Sequence, residues 1–266
     1  MRPRHLVVTW LASVLLAGTT LVVACGDDDA VSSGDAGTVD AAAEAAPAAG
    51  EGKQSGRIVR AQSQGQPVEG ATVIVGERSV TTGADGTYEL VVPKGVAYTM
   101  KVTAPEHYAL LEQEWILRSD ALARGDTQLL PSSTANLLAA FFPGRDPAKA
   151  LVAVRVTPLP PCDSEEGAVV TIEPRGAADV RYFSGGIPSA TATSVKKDES
   201  ISAAFFNVEP NTVVKVGVTA PGCEALPFPV EQGEVTYTGS ARTEPGEALT
   251  YVRVFLGPRL ADAGGG

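Results

Sequence analysis

The sequence predicts an all-β protein with two tandem β-sandwiches and a short connecting helix, placed after a signal peptide and a disordered linker. Short runs of alternating apolar and polar residues, separated by Gly, Pro and Asp, begin at residue 56 and continue towards residue 260. The composition, with 44% hydrophobic and 20% charged residues among 266, is sufficient for a buried core. Pieces of the first half also recur in the second half, which indicates an internal repeat.

The predicted segments follow one another along the chain. They are a signal peptide at 1–24, an acidic tether at 25–55, a first sandwich at 56–131, a helix and linker at 132–149, a second sandwich at 150–260 and a disordered tail at 261–266. Domains commonly have roughly 100 to 200 residues, so the folded part fits one or two of them.

The first 25 residues have the pattern of an export signal. Arg2 and Arg4 precede the uncharged, proline-free run Leu6–Ala24. The run ends at Val22–Cys25, which resembles a bacterial lipobox, and this resemblance implies that the Cys25 thiol receives a diacylglycerol before cleavage. An uncleaved membrane helix and a soluble secreted protein cut near Ala24 are the alternatives. A run of about 19 residues is marginal for spanning a bilayer, which favours the lipoprotein.

A lipidated Cys25 would place the protein at the cell envelope. Two or three acyl chains such as palmitate form a stable anchor, since each buried methylene contributes about 0.8 kcal/mol and a single chain binds reversibly. In a cell with two membranes we expect the outer membrane rather than the inner. The expected partners are the membrane itself and an envelope protein or glycan.

The segment after the anchor is acidic and poor in apolar side chains. Residues 26–56 consist mostly of Gly, Ala, Ser, Asp and Glu, with Val31 and Val39 as the only large apolar residues. Burial cannot offset the entropy of ordering such a chain, so we expect a flexible tether. The protein carries a formal net charge of −10 and no basic patch, which argues against a nucleic acid partner.

Four runs in the first half have the pattern of strands. They are Ile58–Ala61, Ala71–Val75, Tyr88–Val92 and Ala97–Val102. Hairpin turns are predicted around Gly86 and Gly95, because glycine adopts the positive φ that tight hairpins need.

These residues carry a family resemblance over residues 56–108. The order runs Gly56, Ile58, Pro67, Val68, Gly70, Ala71, Val73, Val75, Thr81, Thr82, Asp85, Gly86, Tyr88, Leu90, Val92, Pro93, Gly95, Tyr98 and Val102. This order resembles the carboxypeptidase regulatory-like domain, and the resemblance implies a transthyretin-like (prealbumin-like) sandwich, an architecture related to Ig-like sandwiches. Such domains accompany enzymes or receptors without reacting themselves, so the resemblance implies a non-catalytic role. The pattern departs from the family at Pro105–Tyr108.

The second half repeats three pieces of the first. Val102–Pro105 recurs as Val218–Pro221, Gly70–Val73 as Gly167–Val170, and Tyr88–Pro93 as Phe206–Pro210 with a gap. The second copy is longer between these pieces, so we expect an extra strand at Val180–Phe183. The last predicted strand is Leu249–Leu256.

A short helix is predicted between the sandwiches. Ser132 and Ser133 can cap a helix from about Thr134 to Phe142, which Pro143 would end. We expect its large apolar side chains to pack between the domains, with a ligand groove and a membrane contact as alternatives. Those side chains are Leu137, Leu138, Phe141 and Phe142.

The cysteines fit an exported protein. If Cys25 is lipidated, Cys162 and Cys223 remain as one pair, so we predict a disulfide, with two buried free thiols as the alternative. Closing a loop of about 60 residues would contribute about 2–4 kcal/mol. Neither a C-x-x-C pair nor a neighbouring histidine occurs, so no metal site and no cofactor are predicted.

The sequence offers few groups for acid–base chemistry. Apart from His5 in the signal, His107 is the one histidine, and it lies in a predicted turn beside Pro105. A Ser/His/Asp or Cys/His set would depend on it, so no catalytic residue is predicted. The acidic residues of two later loops are interpreted as solvated, with a calcium site as the alternative. They are Asp163, Glu165, Glu166, Asp198 and Glu199.

Four aromatic residues are candidates for a carbohydrate-binding surface. Trp115 is the candidate ligand-binding residue, with Tyr182, Tyr237 and Tyr251 as possible companions, although core packing is the simpler expectation for Trp115. The sequence therefore predicts a membrane-anchored, non-catalytic envelope lipoprotein with a structural, adhesion or protein-binding role. A surface carbohydrate-binding module and a metal-assisted hydrolase are the alternatives.

Overall fold

The computed structural model describes residues 50–63 and 65–258. In these residues the protein consists of β-strands and one helix, which confirms the predicted fold class. The predicted signal peptide, Cys25, most of the tether and the C-terminal tail lie outside the described residues.

The first half forms a sandwich of short strands. Its strands are β1 (Glu51–Arg60), β2 (Thr72–Val75), β3 (Arg78–Thr81), β4 (Thr87–Pro93), β5 (Ala97–Tyr98), β6 (Met100–Thr103), β7 (Ala109–Glu112), β8 (Trp115–Leu117) and β9 (Ala121–Leu129). In β4 the buried Tyr88, Leu90 and Val92 alternate with more exposed residues, as expected for a strand with one face on a core.

The second half follows helix α1 (Ser132–Ala139). Its strands are β10 (Ala150–Pro158), β11 (Val169–Glu173), β12 (Asp179–Ser184), β13 (Ile187–Pro188), β14 (Ala203–Val208), β15 (Val213–Thr219), β16 (Cys223–Ala225), β17 (Val230–Gln232), β18 (Val235–Tyr237), β19 (Ser240–Arg242) and β20 (Ala248–Pro258). The extra strand predicted at Val180–Phe183 is β12.

The two halves share a pattern of strand pairing. In the first half β1 pairs antiparallel with β4 and parallel with β9, and in the second half β10 pairs antiparallel with β14 and parallel with β20. The β2–β6 ladder aligns Val73 with Val102, and the β11–β15 ladder aligns Val170 with Val218. These are positions that the sequence repeat matches, so the repeat extends to the three-dimensional structure.

One sheet runs through both sandwiches. Its strands lie in the order β13-β12-β14-β10-β20-β7-β6-β2-β3, and β16 also pairs with β20. We call it the central sheet. The two halves join in the parallel ladder between β20 and β7, from Ala248 opposite Ala109 to Tyr251 opposite Glu112.

The two sandwich cores lie on opposite faces of the central sheet. In the first, the β4-β1-β9 sheet packs on the face that carries Leu110 of β7. In the second, the β11-β15-β19 sheet packs on the face that carries Val152, Val154 and Val252. Leu110 pairs with Leu249, so these two side chains lie on the same face of the central sheet. Thr250 and Val252 follow Leu249 by odd numbers of residues, so their side chains lie on the other face. The two cores therefore pack on opposite faces. A strip of the central sheet next to β9 is therefore covered by neither three-stranded sheet.

Two expectations about the strands need correction. Strand β1 begins at Glu51, inside the predicted tether, because residues 51–54 pair with β4 and residues 53 and 54 also pair with β9, which composition does not reveal. The β17–β18 hairpin extends the edge of β8, so this part of the predicted second sandwich packs on the first, where Val235 joins the core.

Helix α1 also differs from its prediction. It ends at Ala139 rather than near Phe142, and Pro131 occupies the N-cap position without a side-chain capping bond. Leu138 and Phe142 pack in an apolar cluster as expected, but Leu137 is 75% exposed and Phe141 is 41% exposed. The expectation that all four large apolar side chains pack between the domains was therefore wrong for Leu137 and Phe141, and only one side of this segment is buried.

The predicted disulfide is present between Cys162 and Cys223. It connects the loop after β10 to β16, which itself pairs with the end of β20. The bond therefore ties together two segments that flank the same end of the central sheet.

Candidate functional site

A groove of about 330 Å³ lies on the strip of central sheet beside β9. We call it the interdomain groove, because residues of both sandwiches line it. Strands β20, β10 and β14 form its floor, and Arg124 and Gln128 of β9 lie along one wall. Leu138 of α1 and Phe142 contribute the opposite wall.

The floor consists of three rows of side chains. Strands β10 and β20 are parallel and in register, so Leu151 lies opposite Leu249, Ala153 opposite Tyr251, and Arg155 opposite Arg253. Alternate residues of a strand face the same side, so all three rows face the groove. The floor therefore changes from apolar to cationic along the strand direction.

The apolar end belongs to a separate small core. Leu151 packs there with three phenylalanines, and the rings of Phe142 and Phe206 are 5.3 Å apart in an edge-to-face arrangement. Leu138 and Ile201 pack against this cluster while remaining partly exposed. An apolar group that enters the groove would contact side chains whose other faces are already packed away from water.

The cationic end holds guanidinium groups without carboxylate partners. Arg155 donates to the backbone carbonyl oxygens of Glu199 and Ser200, at 3.2 and 3.1 Å. Arg253 lies over the Tyr251 ring, 5.7 Å from its centroid. Neither arginine forms a salt bridge with any residue that the structure describes. Neighbouring strands are about 4.8 Å apart, so two like charges stand side by side on the sheet.

Both carboxylates that line the groove are already paired. Glu112 accepts two hydrogen bonds of 2.7 Å from Arg124, one to each oxygen. Asp126 accepts bonds of 3.1 and 2.8 Å from Arg57. The groove is therefore cationic although the protein as a whole carries a formal charge of −10.

Burial sets the protonation of the groove residues. It raises the pKa of Tyr251, and the nearby Arg253 and Arg155 lower it by less. Burial lowers the pKa of Arg253, but the phenol oxygens of Tyr251 and Tyr237 and the Glu112 charge raise it by more. At neutral pH the groove therefore presents a neutral phenol between charged guanidinium groups.

A buried carboxylate fixes the loops beside Arg155. The Glu199 side chain accepts hydrogen bonds from the backbone amides of Gly185 and Gly186, both of which have positive φ. Glu165 similarly accepts a 2.9 Å bond from the amide of Asp198. Both side chains are buried, so the interpretation of these two acids as solvated was wrong. Their oxygens are used by backbone donors, which holds Arg155 next to a fixed loop.

The acidic residues do not converge. Within residues 50–63 and 65–258, no group of three or more His, Cys, Asp or Glu side chains is arranged to hold a metal ion. Asp85 accepts hydrogen bonds from the amide and hydroxyl of Thr87, as its turn position requires. The Nδ1 atom of His107 lies 2.7 Å from the carbonyl oxygen of Pro105. Among the described residues, His107 forms no hydrogen bond or salt bridge with these acidic side chains.

The structure places the candidate Trp115 in the core of the first sandwich. Its side chain is buried, the Tyr98 ring is 4.7 Å away between centroids, and Arg124 covers its face at 5.2 Å. The indole N–H has no hydrogen-bond partner among the described residues. Stacking on a sugar is therefore blocked at Trp115, while Tyr251 is the one of the four weighed aromatic residues that lines the groove.

Sequence reasoning missed the arginine row. The signal was present in the alternation of Leu151, Ala153 and Arg155 and in that of Leu249, Tyr251 and Arg253. Each of these runs alone predicts only a strand with a polar end. The parallel β10–β20 ladder is what brings the two arginines together.

Comparison with known proteins leaves the family open. No family model and no curated protein matches the chain. Among solved structures, the Bacillus anthracis TIE protein is 15% identical with a TM-score of 0.24, over 79% of this chain and 34% of that one. A streptococcal ancillary pilin is 11% identical with a TM-score of 0.24, over 80% of this chain and 63% of that one. The Streptococcus agalactiae minor pilin GBS52 is 12% identical with a TM-score of 0.25, over 81% and 99%.

The chain thus spans about a third of the Bacillus anthracis protein and under two thirds of the ancillary pilin. With TM-scores this low, these similarities carry no argument about function. Among the described residues, no helix is long and apolar enough to cross a membrane.

Proposed function

We propose that the protein is a non-catalytic, lipid-anchored protein of the cell envelope that binds an anionic partner in the interdomain groove. The observation that carries the proposal is the row of Arg155 and Arg253, which are neighbours on the sheet and form no salt bridge with any described residue. Guanidinium groups bind carboxylate and phosphate oxygens in a bidentate manner, so an anion is the natural occupant.

The continuous central sheet supports this role. Its β20–β7 ladder and the paired β10–β20 ladder hold the groove residues of both sandwiches in fixed register. A site built on strands needs little reorganisation when a partner binds, which lowers the entropic cost of association. An adhesion or assembly role follows if the partner is itself part of the envelope.

Anchoring through Cys25 rests on the lipobox-like sequence. Mass spectrometry of the protein isolated from its native envelope should find an acylated cysteine at the amino terminus, and a Cys25→Ala form should be released from the membrane. An unmodified amino terminus would refute the anchor without affecting the groove.

An envelope retention assay tests the groove. We propose comparing the full chain carrying Cys25→Ala with the same chain carrying Arg155→Glu and Arg253→Glu as well. The matched control carries Arg175→Glu and Arg242→Glu, which reverses two charges at exposed positions outside the groove and gives the same net charge. Isolated envelopes should retain the unreversed chain and the matched control in low salt, and should retain the groove variant at least tenfold less. Equal retention of all three would refute the proposed function.

A further inference from the structure

We infer that the interdomain groove binds a small amphiphile: a single acyl chain that carries a carboxylate or phosphate head. The inference rests on the proposed function and adds the chemical class of the ligand. Two features of the floor, an apolar end and a cationic end on the same strands, carry it together.

The order of the three rows sets the orientation of the ligand. Leu151 and Leu249 form the first row, Ala153 and Tyr251 the second, and Arg155 and Arg253 the third. An anionic head at the third row would leave its chain running over the small Ala153 side chain towards the first. A chain in this position replaces water on an apolar surface, which is favourable in proportion to the buried area.

The apolar end fits an aliphatic chain. The partly exposed side chain of Leu138 packs against a cluster that contains Phe142, Leu151 and Phe206. Ala204 lies next to Ala153 across the β10–β14 ladder, so the middle row of the floor carries two adjacent small side chains. A linear acyl chain fits over these small side chains better than a branched group does.

The cationic end fits an oxyanion. The Arg155 guanidinium is held by two backbone carbonyl oxygens, and those bonds leave its charge uncompensated. The Tyr251 phenol, which stays neutral because of burial, is a further donor beside Arg253. The lining carboxylate of Glu112 already accepts hydrogen bonds from the two terminal guanidinium nitrogens of Arg124, Nη1 and Nη2. A carboxylate or phosphate head would complete this end with charge-assisted hydrogen bonds.

The volume of the groove favours a small amphiphile over a macromolecule as its ligand. Its volume of about 330 Å³ lies at the lower end of the roughly 300 to 1,000 Å³ found for small-ligand sites. A protein partner would instead need an interface of about 800 Å² on each side. The concave, two-ended floor therefore favours a ligand of a few to a dozen carbon atoms.

Isothermal titration calorimetry with a series of defined probes tests the inference. The protein is the full chain carrying Cys25→Ala, and the probes are butanoate, octanoate, dodecanoate, dodecyl phosphate and dodecanol, each below its aggregation concentration. Affinity should rise from butanoate to octanoate by at least tenfold, since each buried methylene contributes about a fourfold gain. Dodecanoate and dodecyl phosphate distinguish a fatty acid from a phosphate-headed lipid, and at least one should bind tenfold more tightly than dodecanol.

Two substitutions assign the binding to the groove. Arg253→Met removes an exposed charge and keeps the length of the side chain, and it should weaken binding of the preferred probe at least tenfold. Arg242→Met is the matched control, because Arg242 is exposed and does not line the groove. If Arg253→Met lowers the melting temperature, Arg253→Gln replaces it.

Each outcome decides a separate claim. Equal affinity for butanoate and dodecanoate would overturn the acyl chain but leave an anion-binding groove, so the proposed function would stand. Equal affinity for dodecanol and dodecanoate would overturn the anionic head. Unchanged binding by the Arg253 variants, or no binding of any probe, would overturn the inference, while the envelope retention assay would still judge the proposed function.

Discussion

The ion pair between Glu112 and Arg124 offers the sharpest test of how the groove wall is held. Glu112 lies on β7 of the central sheet and Arg124 on β9 of the opposing sheet, so the pair connects the two layers of the first sandwich. The side chains are only 12% and 18% exposed. Burial lowers the pKa of Arg124, but the charge of Glu112 and its hydrogen bonds raise that pKa by more, so the guanidinium stays protonated.

Breaking this pair should cost about 3 kcal/mol. Removal of one partner from a buried ion pair typically costs about 3–5 kcal/mol because the other charge is left uncompensated, and the slight exposure places this pair at the lower end. Glu112→Gln keeps the shape and tests the charge. Arg124→Met also removes the contact of the guanidinium with the Trp115 ring. We expect the double variant to lose much less than the sum of the two single losses.

Urea unfolding of the four members of this cycle measures the effect. The control is Arg57→Met, because the Arg57–Asp126 pair has similar geometry but is 40% and 44% exposed. Exposed pairs contribute about 0–1 kcal/mol, so this substitution should change the free energy of unfolding little. If Glu112→Gln costs no more than Arg57→Met, or the two core substitutions are additive, the reasoning from burial is wrong.

Three further predictions concern the same framework. Replacing Cys162 and Cys223 with alanine should lower the free energy of unfolding by about 2–5 kcal/mol, measured by urea titration, since a long loop is no longer closed in the unfolded state. Glu199→Gln removes the charge that accepts two glycine amides and should cost about 1–3 kcal/mol in the same assay; no loss would mean that water replaces those bonds. Hydrogen bonds from the side chain and amide of Thr87 hold the pKa of Asp85 below its usual value, so this group stabilises the fold above its unfolded pKa and stops doing so as the pH falls. The difference in melting temperature between the wild type and Asp85→Asn should therefore shrink between about pH 6 and about pH 2, and a constant difference would contradict this assignment.

Local pattern was sufficient for several of the strands. Alternation identified β2, β4 and β6, because each has one buried and one exposed face. The repeat between Gly70–Val73 and Gly167–Val170 pointed to equivalent strands, and the ladders of β2 and β11 agree with it. The Cys162–Cys223 pair followed from counting cysteines in a chain that was expected to be exported.

The pairing of strands that are distant along the chain was not predicted from the sequence. The segment at residues 51–54 has the composition of a linker, yet it pairs with β4 along its whole length, and residues 53 and 54 also pair with β9. The β17–β18 hairpin joins the first sandwich because β8 presents a free edge there, a fact that no local pattern records. Arg155 and Arg253 become neighbours only through the β10–β20 register.

The burial of two acidic side chains was also not predicted from the sequence. Glu165 and Glu199 were read as solvated because charged residues in loops usually are. Both are buried because backbone amides from distant loops donate to them. A carboxylate with several amide donors loses little on leaving water, and the sequence does not show which amides are near.

Amide chemical-shift mapping with the tightest-binding probe would test the account most directly. Binding in the groove predicts perturbations concentrated at residues 151–155 and 249–253, with smaller changes near Phe142 and none along the opposite face at β11. Perturbations centred on β11, or on the exposed residues Leu137 and Phe141, would show that the ligand binds elsewhere and that the paired arginine row is not its site.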